Sequence, residues 1–243
     1  MKEFFESTYG DRIAPVYDEW YGEYEPAIID TLSELAQGGR TLELGIGSGR
    51  IALPLHHSGI EIQGIDASKA MLARLKEKPG GEDIQVTLGN FADVDVEGQF
   101  KLIYVVFNTF FALGTQDEQV QCFKNVVDRL TPDGSFLIEA FVPDMARFID
   151  QQSVRVGRME VDEVFIDVSQ LDMLNQQVSS QHIVLSEEGV HLYPVKLRYA
   201  WPAELDLMAR LANLTLKERW GSWGKEPYTN ESTRHISVYS AVQ

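Results

Sequence analysis

The chain has 243 residues, of which 44% are hydrophobic. This length suits one α/β domain with additions, whereas two equal domains would each be small. The 37 acidic and 21 basic side chains give a formal net charge of −16, which argues against nucleic acid and anionic membranes as partners because both require basic surfaces. A single cysteine excludes an intramolecular disulfide, no apolar run reaches the ~18 residues of a membrane span, and residues 1–6 lack a signal-peptide core, so we expect a cytoplasmic protein.

The N-terminal segment, residues 1–38, is rich in aromatic side chains and is predicted to form a helical cap. One or two short helices are expected first, followed by a helix over residues 25–36 that ends at two glycines. Spacings of three and four place four rings on one helical face. These rings are Tyr17, Trp20, Tyr21 and Tyr24.

Strands and helices then alternate up to residue 141. Apolar runs predict strands over 41–44, 61–65, 84–88, 100–107 and 135–141. Helices are expected over 49–58, over 69–76 after an N-cap at Ser68, and over 116–130 before Pro132. This alternation predicts a doubly wound parallel sheet.

The pattern changes to period two between residues 153 and 200. Alternating segments at 161–168, 177–185 and 190–199, with a turn at 187–189, predict a small antiparallel sheet inserted after the fifth strand. Because ligands bind at the carboxyl edge of a parallel sheet, this insert is expected to be a lid; a brace or a homodimer surface is the alternative. A helix over 202–213 and an antiparallel strand pair at 215–220 and 236–242 would close a single domain spanning residues 1–243.

Three glycines at alternate positions follow the first strand. Gly45, Gly47 and Gly49 would let the backbone turn tightly and let a ligand approach main-chain N–H groups. Asp66 ends the second strand, where a carboxylate accepts ribose hydroxyls in nucleoside sites. The spacing differs from the Gly-x-Gly-x-x-Gly of dinucleotide sites, and Glu43 would repel a pyrophosphate but suits a cation. A NAD-dependent oxidoreductase and a tight turn without any ligand are the alternatives.

These features, together with the run Leu-Thr-Pro-Asp-Gly at 130–134 before a late strand, resemble the class I S-adenosylmethionine-dependent methyltransferases. The resemblance covers about residues 9–141 and resumes after Trp201. Within the family the chain looks like the small-molecule enzymes of natural-product pathways, which include amino-sugar N-methyltransferases and indole C-methyltransferases. The resemblance implies a Rossmann-like sheet with a terminal antiparallel hairpin and S-adenosylmethionine as cofactor.

The resemblance also implies how the cofactor is held. The Gly45 carbonyl and Glu43 would serve the ammonium group, Asp66 the ribose, and Asn90, where many relatives have Asp, would keep a carbonyl acceptor for the adenine. Tyr9, Tyr17 and Met71 could instead be ordinary core residues. Arg50 could instead be a solvated charge on the surface. The expected cofactor-binding residues are Tyr9, Tyr17, Glu43, Gly45, Gly47, Gly49, Arg50, Asp66, Ala67, Met71, Asn90, Phe91 and Phe107.

Methyl transfer from a sulfonium is an in-line displacement in which alignment supplies most of the catalysis. It needs no metal, and the sequence contains no ligand cluster. Rings expected near the cofactor suit an aromatic or indole-like small-molecule acceptor by stacking; N-methylation of an amino sugar or another amine is the alternative, and a non-catalytic cofactor-binding protein is a third. The expected substrate-binding residues are Trp20, Tyr21, Asn108 and Phe111. The expected catalytic residues are Glu19, Tyr24 and His182, which would orient the acceptor and accept its proton.

Overall fold

The computed structural model describes residues 4–241, so residues 1–3 of the predicted cap and Val242 of the predicted last strand lie outside the described residues. The α-helices are α1 (Thr8–Ile13), α2 (Tyr17–Tyr21), α3 (Pro26–Ala36), α4 (Ala52–His57), α5 (Lys69–Lys76), α6 (Gln116–Arg129) and α7 (Pro202–Leu211). The strands are β1 (Thr41–Leu44), β2 (Ile62–Asp66), β3 (Gln85–Leu88), β4 (Phe100–Val105), β5 (Leu130–Phe141), β6 (Gln152–Met159), β7 (Glu163–Asp172), β8 (Gln177–Ser186), β9 (Gly189–Arg198), β10 (Leu214–Trp220) and β11 (Arg234–Ala241).

Seven strands form the main sheet, in the order β3-β2-β1-β4-β5-β11-β10. Strands β1 to β5 pair in parallel, and β11 runs antiparallel to both β5 and β10. The central strand β1 is buried along its whole length, as expected for a strand that helices cover on both faces. The Rossmann-like sheet with a terminal antiparallel hairpin is therefore confirmed.

The other four strands form a separate antiparallel sheet in the order β6-β7-β8-β9, which confirms the inserted sheet. Strand β6 was not predicted as a separate element. The register places Asp167 of β7 opposite His182 of β8, and His182 opposite Tyr193 of β9. Side chains directly opposite one another share a face of a sheet, so these three lie on the face that meets α1.

The cap differs from its prediction at Tyr24. Helix α2 ends at Tyr21, and Glu25 is extended with ψ 124° before Pro26, the first residue of α3. A residue before proline avoids the helical region, so no continuous helix runs from α2 into α3. The prediction that Tyr24 shares a helical face with the other rings is wrong.

Strand β4 also ends two residues earlier than predicted. Val105 is its last residue, and Phe107 and Asn108 have φ of 58° and 65°. Two consecutive left-handed residues cannot continue a strand, and for residues other than glycine this backbone is strained. The carboxyl end of β4 is therefore a sharp turn that presents Phe107 above the sheet edge.

Candidate active site

The glycine turn after β1 needs glycine for steric reasons. Gly45 has φ +75°, and an added Cβ would lie 2.4 Å from Cγ2 of Thr109. At Gly47, with φ +55°, an added Cβ would meet only the Met71 methyl carbon, at 3.1 Å. The turn at Gly47 therefore lies close to the end of the flexible Met71 side chain, and we call the turn from Gly45 to Gly49, with Met71 beside it, the cradle.

Asp66 at the end of β2 borders this cradle. Its Oδ2 accepts a hydrogen bond from the Gly47 N–H at 2.8 Å, and its Oδ1 accepts one from the Ser68 N–H at 2.8 Å. Burial raises the pKa of the Asp66 carboxyl, while the N–H donors from Ser68 and Gly47 oppose that shift. Ser68 is the N-cap of α5, as predicted, and accepts from the Met71 N–H.

Glu43 lies on the other side of the turn and is only 3% exposed. Its Oε2 accepts a hydrogen bond from the Tyr104 hydroxyl at 2.9 Å. Burial raises the pKa of the Glu43 carboxyl to about 8, although Tyr104 and Arg50 act in the opposite direction. At neutral pH the group is mostly protonated, and a cation placed beside it would favour its ionised form.

Two carboxylates of the cap fasten it to the cofactor loops. Oδ1 of Asp11 in α1 accepts from the Ser68 hydroxyl at 2.7 Å. Oδ1 of Asp18 in α2 accepts from the Ser48 hydroxyl and from Nζ of Lys78, both at 2.6 Å. Sequence reasoning missed both residues, because nothing local shows that an acidic residue of a short helix faces a hydroxyl far along the chain.

Partly buried tyrosines of the cap pack together on one side of it. Burial raises the pKa of Tyr17 to about 12. The pKa of Tyr9 is also raised, mainly by burial and to a lesser extent by the neighbouring hydroxyls of Tyr21 and Tyr17. The ring of Tyr21 lies 5.3 Å from that of Phe107, centroid to centroid. The cap therefore reaches the turn at the end of β4.

Trp20 connects the cap to the inserted sheet. Its ring makes edge contacts with Phe165 at 5.2 Å and with Tyr193 at 5.0 Å, again between centroids. Trp20 and Tyr193 also pack against a small separate core that contains Met71, which is 4% exposed. Helix α2 and the inner face of the inserted sheet are therefore in direct contact through these rings.

The turn at Phe107 is held by a residue that sequence reasoning missed. Oε2 of Glu139 accepts from the Phe107 N–H at 2.9 Å, and Oε1 accepts from the Trp223 Nε1–H at 3.0 Å. Oδ1 of Asn108 accepts from the Phe141 N–H at 2.6 Å. These bonds hold the strained backbone of the turn in one conformation.

The Arg50 side chain contacts both the cap and the turn at the end of β4. Its guanidinium lies 4.4 Å above the Phe107 ring, and Nη1 donates to the Glu23 carbonyl at 3.1 Å. The guanidinium therefore sits between the cap and the carboxyl end of β4, beside the glycine turn that precedes it in the chain.

The structure pairs His182 with an acidic residue that was not singled out from the sequence. Nε2 of His182 lies 3.2 Å from Oδ2 of Asp167. Burial alone would raise the pKa of Asp167, but hydrogen bonds from His182 and Ser169 outweigh it and lower the pKa. Nδ1 of His182 is buried and has no hydrogen-bond partner among the described residues.

Four predicted positions lie apart from the cradle or are engaged elsewhere. Glu19 is exposed, and Tyr24 is 38% exposed. Oδ1 of Asn90 accepts from the Ala92 N–H at 2.9 Å, which leaves one lone pair for a ligand. Phe111 is fully buried in the main core, 5.0 Å from the Phe141 ring, so its expected contact with substrate is corrected to a core position.

Three other residues predicted to bind the cofactor lie in or near the main core and the turn. Ala67 follows Asp66 directly, Phe91 is 8% exposed in the main core, and Gly49 has φ +80° in the turn. In the part of the chain that the structure describes, no group of three His, Cys, Asp or Glu residues could hold a metal ion, and no helix is long and apolar enough to cross a membrane.

Comparisons with known proteins identify the type of site. A family described as "Methyltransferase domain" matches residues 41–134, from β1 to the start of β5. The cypemycin N-terminal methyltransferase of a Streptomyces species is 30% identical over 207 residues, which cover 82% of each chain.

Solved structures extend the similarity over the whole chain. The CcbJ methyltransferase from Streptomyces caelestis is 39% identical, with a TM-score of 0.93 over 99% of this chain and 100% of that one. CalS10, an amino pentose methyltransferase from Micromonospora echinaspora solved with its cofactor, shares the fold at 19% identity and a TM-score of 0.68, covering 100% of this chain and 99% of that one.

Proposed function

The chain belongs to the class I S-adenosylmethionine-dependent methyltransferases, and from this we propose that it transfers the methyl group to an amine nitrogen of a small natural-product scaffold. The observation that carries the proposal is the arrangement around the glycine turn, where the buried carboxyl of Glu43 and the partly buried carboxyl of Asp66 flank the cradle. A NAD-dependent oxidoreductase is set aside, because the matching family is one of methyltransferases.

The residues of the cradle fit S-adenosylmethionine. A carboxylate at the end of β2 suits ribose hydroxyls, since hydrogen bonds to a charged acceptor are the stronger kind. A buried carboxyl such as Glu43 suits the cationic amino-acid end, whose charge would restore the ionised form. Bound there, S-adenosylmethionine supplies an electrophilic methyl group, whose bonding electrons remain on sulfur as the acceptor lone pair forms the new bond.

The choice of an amine rests on the similar proteins and on charge. One relative is named an N-terminal methyltransferase, and two structural neighbours are named an amino pentose methyltransferase and a sugar N-methyltransferase. The inner face of the inserted sheet offers an amine the carboxylate of Asp167 beside the imidazole of His182. In this proposal Tyr21 and Phe107 orient the acceptor, and Trp20 closes the space toward the insert.

An aromatic or indole-like acceptor is the second candidate. The Phe107 ring is 37% exposed next to Tyr21, and such a ring can stack on a flat acceptor. A cytoplasmic location, a homodimer through the insert and proton-accepting roles for Glu19 and Tyr24 stay predictions.

Calorimetry and a turnover screen test the proposal. Wild type should bind S-adenosylhomocysteine and not NAD, and Asp66→Ala should weaken binding by about 1.5–3 kcal/mol, the range for hydrogen bonds to a charged group. Asp128→Ala, an exposed position on α6, is the matched control. Mass spectrometry of reactions with an aminodeoxy sugar, a tripeptide with a free N-terminus and an indole then decides the acceptor class. Methylation of the indole alone would refute the amine.

A further inference from the structure

We infer that Asp167 is a positioning residue that holds the ring of His182, so that Nδ1 of His182 takes the proton of the acceptor amine. The inference deepens the proposed function and rests on it. It assigns a role to Asp167, a residue outside the glycine turn and outside every loop of the main sheet.

The ion-pair geometry selects the tautomer of the ring. Nε2 of His182 lies 3.2 Å from Oδ2 of Asp167, and because a carboxylate only accepts hydrogen bonds, the inference places the proton of the neutral ring on Nε2. The lone pair of the neutral ring is then on Nδ1. A carboxylate that orients an imidazole and stabilises its protonated form in this way increases its usefulness as a base.

Asp167 is itself held from two sides. Its Oδ1 accepts from the Ser169 hydroxyl at 2.6 Å, and the Ser169 and Ser180 hydroxyls lie 2.7 Å apart. Ser169 is 1% exposed. The carboxylate is therefore fixed in place before any substrate arrives, as preorganised support of a functional group requires.

The free nitrogen of the ring indicates that a partner belongs there. Nδ1 of His182 is buried and accepts no hydrogen bond from any described residue. Leaving a buried acceptor unpaired costs about 1–3 kcal/mol, and native proteins contain few such atoms. An acceptor N–H group that entered between α2 and the inserted sheet would satisfy it.

A series of aromatic contacts connects the His182 ring to the cap and to the turn at the end of β4. The Phe165 ring lies 5.4 Å from the His182 ring, centroid to centroid, and also touches Trp20 of the cap. The charge of Asp167 acts on the hydroxyl of Tyr21, whose ring faces Phe107. The titratable and charged groups beside the pair are Arg155 from β6, Tyr193 from β9, Tyr21 from α2, and Arg147 from the segment before β6.

The proton moves from the acceptor to the His182 ring. The acceptor enters as an ammonium ion; one N–H bond breaks, its electron pair stays on nitrogen, and the proton binds the lone pair on Nδ1. The ring becomes a cation next to the Asp167 carboxylate and later gives the proton to solvent. The freed amine lone pair is the nucleophile, and one proton is released for each methyl group transferred.

NMR of the resting enzyme tests the ring directly. In protein labelled with ¹⁵N-histidine, His182 is assigned by loss of its signals in His182→Ala. We expect the Nε2–H tautomer in the wild type and a mixture of tautomers in Asp167→Ala. Asp162, an exposed residue in the turn before β7, is the control, and Asp162→Ala should keep the Nε2–H tautomer. An Nδ1–H tautomer in the wild type would overturn the inference, whether or not any amine is a substrate.

Kinetics then separate positioning from structure. His182→Ala should lower kcat by about 10²–10⁴-fold, the range for general acid–base catalysis, and added imidazole should restore part of the activity. Asp167→Asn should lower kcat by about 10–100-fold, as for other groups that orient a functional histidine, and move the acid limb of the pH profile to lower pH; KM for S-adenosylmethionine should not change.

Asp162→Asn is the control and should match the wild type. Full activity and an unchanged pH profile in Asp167→Asn would overturn the role of Asp167. Absence of amine methylation by the wild type would instead refute the proposed function, and the tautomer measurement would still decide the state of the ring.

Discussion

Glu43 is expected to destabilise the folded protein at neutral pH in the absence of cofactor. Its pKa is about 8 in the folded state, against an ordinary value of 4.5. A carboxyl whose pKa is raised by folding favours the unfolded state above its ordinary pKa, because only the unfolded chain can ionise it. Stability from this group is therefore lost as the pH rises from 4.5 to about 8 and is constant above that.

The size of the effect follows from the two pKa values. Each pH unit within that window costs about 1.4 kcal/mol, so about 3 kcal/mol is lost between pH 4.5 and pH 7. Glu43→Gln removes the charge and keeps an acceptor for the Tyr104 hydroxyl. The variant should thus be about 3 kcal/mol more stable than the wild type at pH 7 and equally stable at pH 4.5.

Urea denaturation at both pH values measures the difference. Glu97→Gln, an exposed carboxylate, is the matched control and should change stability by less than about 0.5 kcal/mol at either pH. Glu43→Gln should also bind S-adenosylhomocysteine more weakly, with no proton released at pH 7. A variant as stable as the wild type at both pH values would refute the argument from burial.

Three further predictions concern the turn, its support and the cap. Gly47→Val should abolish binding of S-adenosylhomocysteine in calorimetry because the side chain fills the cradle. Gly38→Val is the control and should bind normally, since Gly38 has a similar φ of +73° but nothing within 4 Å of an added Cβ. Equal binding by both variants would contradict the role of the cradle. Trp223→Phe should lower the free energy of unfolding by about 1–3 kcal/mol, because Oε1 of Glu139 loses its hydrogen-bond donor. Trp201, which is 43% exposed, is the control, and Trp201→Phe should not lower it. A larger loss in Trp201→Phe than in Trp223→Phe would contradict the role of Glu139 in holding the turn. Asp18→Asn should speed release of S-adenosylhomocysteine about 10-fold in stopped-flow fluorescence, equivalent to ~1.5 kcal/mol for a hydrogen bond to a charged group. Asp30→Asn should leave the rate unchanged, and no difference between the two variants would show that Asp18 does not fasten the cap.

The sequence predicts the main sheet well because its signals are local. The glycines at 45, 47 and 49, the acidic residue at the end of β2 and the N-cap Ser68 each mark a feature decided by neighbours in the chain. The period-two pattern likewise predicts the inserted sheet, since alternation is a property of each strand alone.

The site around the acceptor depends on contacts that no local pattern contains. Asp167 meets His182 only because β7 and β8 pair in one register, and a shift by one residue would turn either side chain to the other face. Glu139 supports Phe107 across 32 residues of sequence. The prediction that Phe111 contacts the substrate was wrong for a different reason, because an aromatic residue gives the same sequence signal in a core, on a surface and in a pocket.

The fastening of the cap has a consequence for the order of events in turnover. Gly47, Ser48 and Gly49 are buried beneath the cap, which Asp11 and Asp18 tie to the loops around them. The cap must therefore open before cofactor enters, whereas in the proposed function the acceptor binds between the cap and the insert. The kinetics should be sequential and ordered, with the cofactor first on and its spent form last off. Release of that product, rather than methyl transfer, would then set the turnover rate.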